Sequence, residues 1–165
     1  MTALGLQTGA LDGSPLAAER VLPGRARAVD ELRSFLEAHP VKEGVGADEF
    51  RRFEESVAEK LREVQRLILG DAMASADVDA DAIEVEGRVL RRTLRSSQTY
   101  MTSAGPVVVE RWLYRDRADP TAHALAAMDL RLGIVEGFWT QYAAEQASWV
   151  VTQMTPKKAE ELFRR

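Results

Sequence analysis

Residues 88–117 read RVLRRTLRSSQTYMTSAGPVVVERWLYRDR, and this stretch sets the class of the 165-residue chain. It divides into two runs of β character. The first contains Val89, Leu90, Leu94, Thr99 and Tyr100, and the second, VVVERWLY, is β-branched and aromatic. Between them Ser103-Ala104-Gly105-Pro106 supplies a turn: glycine takes the positive φ a tight hairpin needs, and proline suits the first residue of a strand. The reading is an antiparallel β-hairpin with arginines on its solvated face. A lone hairpin is marginal in water, so it must add a third strand or lie on a helix. Arg88, Arg91, Arg92, Arg95, Arg111, Arg115 and Arg117 stand against Glu110 and Asp116, so the segment carries +5 in a chain whose net charge is −4.

The residues just before it invert the sign. Asp71, Asp77, Asp79, Asp81, Glu84 and Glu86 make the stretch 71–87 sharply acidic, and 74–87 reads as an acidic, solvated linker. Asp77, Asp79 and Asp81 imitate the opening of a calcium loop. The sixth position, which needs glycine, is Ala82, and the twelfth, which needs a bidentate glutamate, is Arg88, so calcium binding is not expected.

Upstream, 26–73 reads as helical. Val29, Leu32, Phe35 and Leu36 recur at helical spacing until Pro40 stops the segment. After a VKEGVG loop, Asp48 suits an N-cap, and Glu49 to about Met73 is a long amphipathic helix. Its stripe runs through Phe50, Phe53, Val57, Leu61, Val64, Leu67 and Ile68, with Lys60 interrupting one inner position. The stripe must be buried against something. It can pack on the preceding helix as a helical hairpin, or on a second copy of itself, with Phe50, Phe53, Val57, Leu61, Val64 and Ile68 as the self-association surface. Residues 1–25, punctuated by glycine and proline, read as a flexible tail.

Downstream, 118–165 reads as a second helical region. AHALAAMDLRLGI is a short helix or an irregular passage, and Trp139 to Met154 is helical. Thr155 and Pro156 start another helix, as cap and first helical residue. A helix, a tight turn and a second helix form an incomplete helix-turn-helix-like pair. The fold expected is therefore α+β: a long amphipathic helix or helical hairpin, a basic two- or three-stranded antiparallel β-hairpin, and a C-terminal helical pair.

Several chemistries find no support. The chain has no cysteine, which removes disulfides, thiolate nucleophiles and Cys-based zinc sites. The two histidines, His39 and His123, give a catalytic triad little to work with. There is no phosphate loop or nucleophile elbow, and the GxG of EGVGADE lacks its third glycine and a leading strand. No run of 18 or more uncharged apolar residues suggests a membrane span, and the first residues lack the pattern of a secretion signal, which points to the cytoplasm. No catalytic residue, metal or cofactor is assigned.

The hairpin, together with MDLRLGIVEGFWTQYAAEQASWVVTQMTPKKAEELFRR, resembles the N-terminal region of the ISKra-like insertion-sequence transposases. Thr102, Gly105, Val107, Val109, Arg111, Tyr114 and Arg115 match the hairpin pattern of that family. Leu132, Gly133, Ile134, Thr155, Pro156, Ala159, Leu162 and Phe163 match the later pattern. The resemblance spans about two-thirds of the chain. It implies a truncated transposase: a DNA-binding and dimerisation fragment preceding an RNase H-like DDE domain, in which three carboxylates would hold magnesium for strand transfer. No family acid maps onto a residue here, and the cysteine motif many relatives carry beside the hairpin is absent. The implied partners are duplex DNA at transposon ends and a homodimer or full-length relative, with no membrane. The hairpin arginines then lie along phosphates, unless they pair with the adjacent acidic segment. The other expectation is a small helical self-association protein with no DNA role, or an inhibitor that pairs with a full-length relative.

Overall fold

The computed structural model describes residues 23–40, 43–119, 121–153, 155, 157 and 158. The chain is α+β. Helices α1 (Pro23–Ala38) and α2 (Ala47–Ser75) precede strands β1 (Ala82–Val85), β2 (Arg88–Thr102), β3 (Gly105–Asp116) and β4 (Leu125–Ala126), and α3 (Ala127–Leu132) and α4 (Gln141–Gln153) follow. The four strands form one antiparallel meander in the order β1-β2-β3-β4. The hairpin thus gains a neighbour on each side. Residues 1–22 of the expected tail lie outside the described residues, while Pro23, Gly24 and Arg25 belong to α1. Of the expected last helix, Lys157 and Lys158 are helical, and 159–165 lie outside the described residues.

The β2–β3 pairing contains one mismatch. Arg92 faces Tyr114 and Arg95 faces Trp112, so Thr93 and Leu94 together stand opposite Leu113. An extra residue in one strand of a pair rotates the strand's facing. On β2 the buried positions stay even-numbered: Leu90, Tyr100 and Thr102. On β3 they change parity, from Tyr114 to Arg111, Val109 and Val107. The mismatch therefore brings both ends of the ribbon to bear on one core. Met73 lies over Tyr100, Val107, Val109 and Met128. Val78 packs with Ile83, Leu90, Tyr114 and Ala127.

The acidic segment is part of this core. Expected to be a solvated linker, it buries Val78 and Ile83 and supplies β1. The Trp112 N–H donates to the Asp77 carboxylate (3.1 Å), and the Arg92 N–H donates to the Asp81 carbonyl (3.0 Å). The fully buried Tyr114 donates its hydroxyl to the Val78 carbonyl (2.6 Å) and accepts from the Ala80 N–H (3.3 Å). A buried phenol needs such partners, and the segment provides them from its backbone.

The helices form an antiparallel hairpin. Asp71, late in α2, accepts from the N–H groups of Gly24 (3.1 Å) and Arg25 (2.5 Å), so it caps the start of α1 across 46 and 47 residues of sequence. The carboxylate sits where a Gly24 Cβ would be, with Oδ1 at 2.6 Å, which explains glycine at this position. Lys60, the interruption in the apolar stripe, bridges the two helices by pairing with Glu31 (3.1 Å) and Glu63 (2.7 Å). Those hydrogen bonds, Glu63 first, raise the Lys60 pKa and lower that of Glu63. At the other end Gly46, rather than Asp48, occupies the N-cap, and Asp48 and Glu49 lie in the first turn, where they favour the helix dipole.

Replacing Asp71 by Ala is expected to cost about 1–2 kcal/mol, the range for losing a side-chain cap. Gly24→Ala should also destabilise, because its methyl would displace the same carboxylate. Urea unfolding midpoints followed by circular dichroism would check both.

Candidate nucleic-acid interface

The seven hairpin arginines, expected together on a solvated face, divide among three environments. Arg111 is buried. Its guanidinium reaches the Asp129 carboxylate from Nε (3.4 Å) and the Ser96 carbonyl from Nη1 (3.3 Å), and it lies 5.7 Å from the centroid of the Tyr100 ring. Tyr100, itself fully buried, donates its hydroxyl to Asp129. This set joins α3 to the inner side of the sheet, so Arg111 does not share the solvated face on which the hairpin arginines were expected. The cause is the register. Arg111 and Arg115 are four residues apart and would share a face in a regular strand, but the mismatch between them turns one inward and the other outward.

Arg92 is engaged differently. It pairs with Asp79 and with Asp81 (2.8 Å), the acids of the preceding segment. Its guanidinium also lies 4.7 Å from the centroid of the Trp112 indole, and that of Arg95 lies 5.4 Å from it. Intramolecular pairing with the acidic segment thus holds for Arg92, which is half-buried. Arg95 is exposed and reaches Glu110 only at 4.0 Å.

Four arginines remain. Arg88, Arg91, Arg115 and Arg117 are exposed, and their side chains form no ion pair or hydrogen bond among the described residues. Arg88 is near enough to Asp119 to help lower its pKa, after the Thr121 hydroxyl and N–H, which hydrogen-bond to Asp119 and dominate that shift. Arg91 and Arg115 are direct cross-strand partners. Such partners share a face and place their Cβ atoms about 4.5–5.5 Å apart, where like charges destabilise the sheet. The same outer face carries Arg95 opposite Trp112, Ser97 opposite Glu110 and Thr99 opposite Val108. It is a ribbon with a cationic end at 91 and 115, while toward its other end Arg95, Val108 and Glu110 border a cleft against Glu63, Arg66, Gly70 and Asp71 of α2.

No protein-family model, curated protein or solved structure matches this chain. The functional reading therefore rests on the residues themselves. Among the described residues no three His, Cys, Asp or Glu side chains are grouped to hold a metal ion. His39 stacks on Phe35 with ring centroids 4.3 Å apart, its Nδ1 2.9 Å from the Phe35 carbonyl oxygen, and His123 is exposed far from it in sequence. No helix among the described residues is long and apolar enough to cross a membrane. Sequence reasoning missed Asp129 and Trp112 as arginine partners. Asp129 sits in an alanine-rich passage with no period, and nothing local marks it as facing the hairpin.

Arg111→Ala should cost about 1–3 kcal/mol, because it leaves the half-buried Asp129 carboxylate without its cation. Arg115→Ala should stay within about 0.5 kcal/mol, the range for an exposed side chain. Chemical denaturation of the two variants would separate the structural arginine from the surface one. A pH dependence follows from the tyrosines. Burial, then the hydrogen bond to Asp129, pushes the Tyr100 pKa far above its ordinary value of 10, and burial also raises that of Tyr114. The folded state holds both phenols neutral while the unfolded chain ionises them. Their stabilisation is complete below about pH 10 and is lost as pH rises above it. Unfolding free energies measured across that range should fall, and less steeply in Tyr100→Phe.

Proposed function

We propose that this chain is the DNA-binding and dimerisation part of an ISKra-like insertion-sequence transposase, and that it holds the duplex at transposon ends through the outer face of the β2–β3 ribbon. The observation that carries the reading is the unpaired cross-strand couple Arg91 and Arg115, with Arg117 two residues further along. Two guanidinium groups held side by side repel each other in the free protein. A phosphate between them removes that repulsion and accepts hydrogen bonds from both. Arg95 extends the cationic surface along β2, whereas Arg92 and Arg111 serve the fold. Contacts of this kind orient the protein on the backbone and read no base sequence by themselves. Strand transfer is assigned to no residue of the chain, and the magnesium it would use belongs to the catalytic domain of the resembled family.

A second reading, a helical self-association protein without a DNA role, draws support from the exposed apolar side chains of α1 and α2. Fluorescence anisotropy with a labelled terminal-repeat duplex distinguishes the two. Under the first reading, binding weakens steeply between about 50 and 200 mM salt, and Arg91→Gln/Arg115→Gln lowers the slope of log K against log salt by roughly 2, about one per lost phosphate contact. Arg92→Gln changes that slope little. Absence of binding at the lowest salt, or a double variant indistinguishable from the parent, would leave the second reading standing.

A further inference from the structure

The N-terminal half of α2 reaches beyond the sheet. At 29 residues the helix is about 43 Å long. Its described hydrogen bonds to the hairpin come only from Gln65 and Arg66, which reach Ser103 and Ala104, and Gly70 abuts Val107. Among the described residues, its first turns have only α1 and the loop after it, at His39, Pro40 and Val45, for company. Two helices make a single layer, and a layer with an apolar stripe is stable when that stripe is covered by a second layer.

The uncovered stripe can be placed from the contacts. Lys60 and Asp71 mark the side of α2 that meets α1, and Arg66, Gly70 and Met73 the side that meets the sheet. At about 100° per residue, Phe50, Leu61 and Ile68 lie about 80° past the α1-facing line, away from the sheet. On α1, Ala28, Glu31 and Phe35 face α2, and Val29 and Leu36 lie about 100° round from them. Because the helices run antiparallel, the two rotations carry both stripes to one side of the hairpin, opposite the sheet. All five side chains are exposed, from 42% at Ile68 to 60% at Leu36.

We propose that this face, formed by Val29, Leu36, Phe50, Leu61 and Ile68, is a homodimer interface at which two copies close their helical hairpins into a four-helix layer. The inference gives the self-association half of the proposed function its surface, rests on that half, and is independent of DNA. The occupant is a second copy because the area suits one. With the half-buried Leu32, Val57 and Val64 beside them, the five side chains leave on the order of 500 Å² of apolar surface open. A two-fold interface buries about 800 Å² per partner, of which about 65% is apolar in homodimers, so the match is close. The edges suit a self-complementary contact as well, since Arg25 and Arg33 border the stripe on α1 and Glu54 borders it on α2. α1 is essential to the interface: α2 alone offers a seam, and Val29 and Leu36 widen it to a face.

The test is sedimentation of the full chain in the absence of DNA. The parent is expected to run as a dimer at tens of micromolar, and Leu36→Glu and Leu61→Glu each to weaken the dimer at least about 100-fold with unchanged circular dichroism. Since the chain has no cysteine, single cysteines give a second measurement that needs no disruptive charge. Leu36→Cys and Ile68→Cys should each react with a thiol label more slowly as the dimer forms, and Ser97→Cys on the sheet should not change. A monomeric parent would overturn the proposal. So would a dimer that survives both glutamates and is broken instead by Trp149→Glu on α4, whose indole is 66% exposed; that outcome would keep self-association and discard this face. If a glutamate variant fails to fold, the labelling pattern decides: protection at Leu36 and Ile68 supports this face, and labelling unchanged by dimerisation overturns it.

Discussion

The one-residue mismatch between β2 and β3 governs what the rest of the molecule can do. Two residues, Thr93 and Leu94, share the space opposite Leu113, and the facing of β3 changes across that point. Were the pairing regular, Tyr114 and Val109 would point to opposite sides of the ribbon, and the sheet would need covering on both. With the mismatch, one covering layer suffices: the end of α2, the acidic segment and α3 all lie on a single side. The same step sends Arg111 to Asp129 and leaves Arg115 beside Arg91. The division between structural and surface arginines is thus a consequence of register.

Much of this was legible in the linear pattern. The hairpin, its turn at Gly105, the long amphipathic helix and the α+β class all follow from period and turn chemistry, because those signals are local. The helical hairpin was one of two partners the stripe allowed, and Lys60 looked like a flaw in it only because its partner Glu31 lies 29 residues away. The acidic segment was misread for a related reason. Charge density suggested solvation, yet Val78 and Ile83 are buried, and the aspartates beside Val78 and two residues before Ile83 serve Trp112 and Arg92. No local rule marks that arrangement, since it depends on where the segment crosses the sheet.

The candidate site was half legible. Composition identified the cationic stretch, and period-2 alternation put arginines on an outer face, but alternation carried past an irregularity assigns the wrong side. Arg111 is the case in point. Its burial is supported by two polar partners, Asp129 and the Ser96 carbonyl, and an aromatic ring, and no buried side-chain polar atom among the described residues lacks a hydrogen-bond partner. Arg91 and Arg115 show the opposite condition, like charges placed side by side without relief. The contrast between a satisfied and an unsatisfied arginine, on one strand four residues apart, is the physical basis for looking outward for a polyanion.

The Tyr114 hydroxyl has a mechanical consequence for the whole chain. By joining the backbone at Val78 and Ala80, it fastens the passage between helices and sheet to the middle of the sheet. Detaching that passage would expose a phenol, an isoleucine and a valine together and release the partners of Arg92 and Trp112. The passage between helices and sheet is tied to β3 through this hydroxyl, so its local opening is coupled to that of the ribbon.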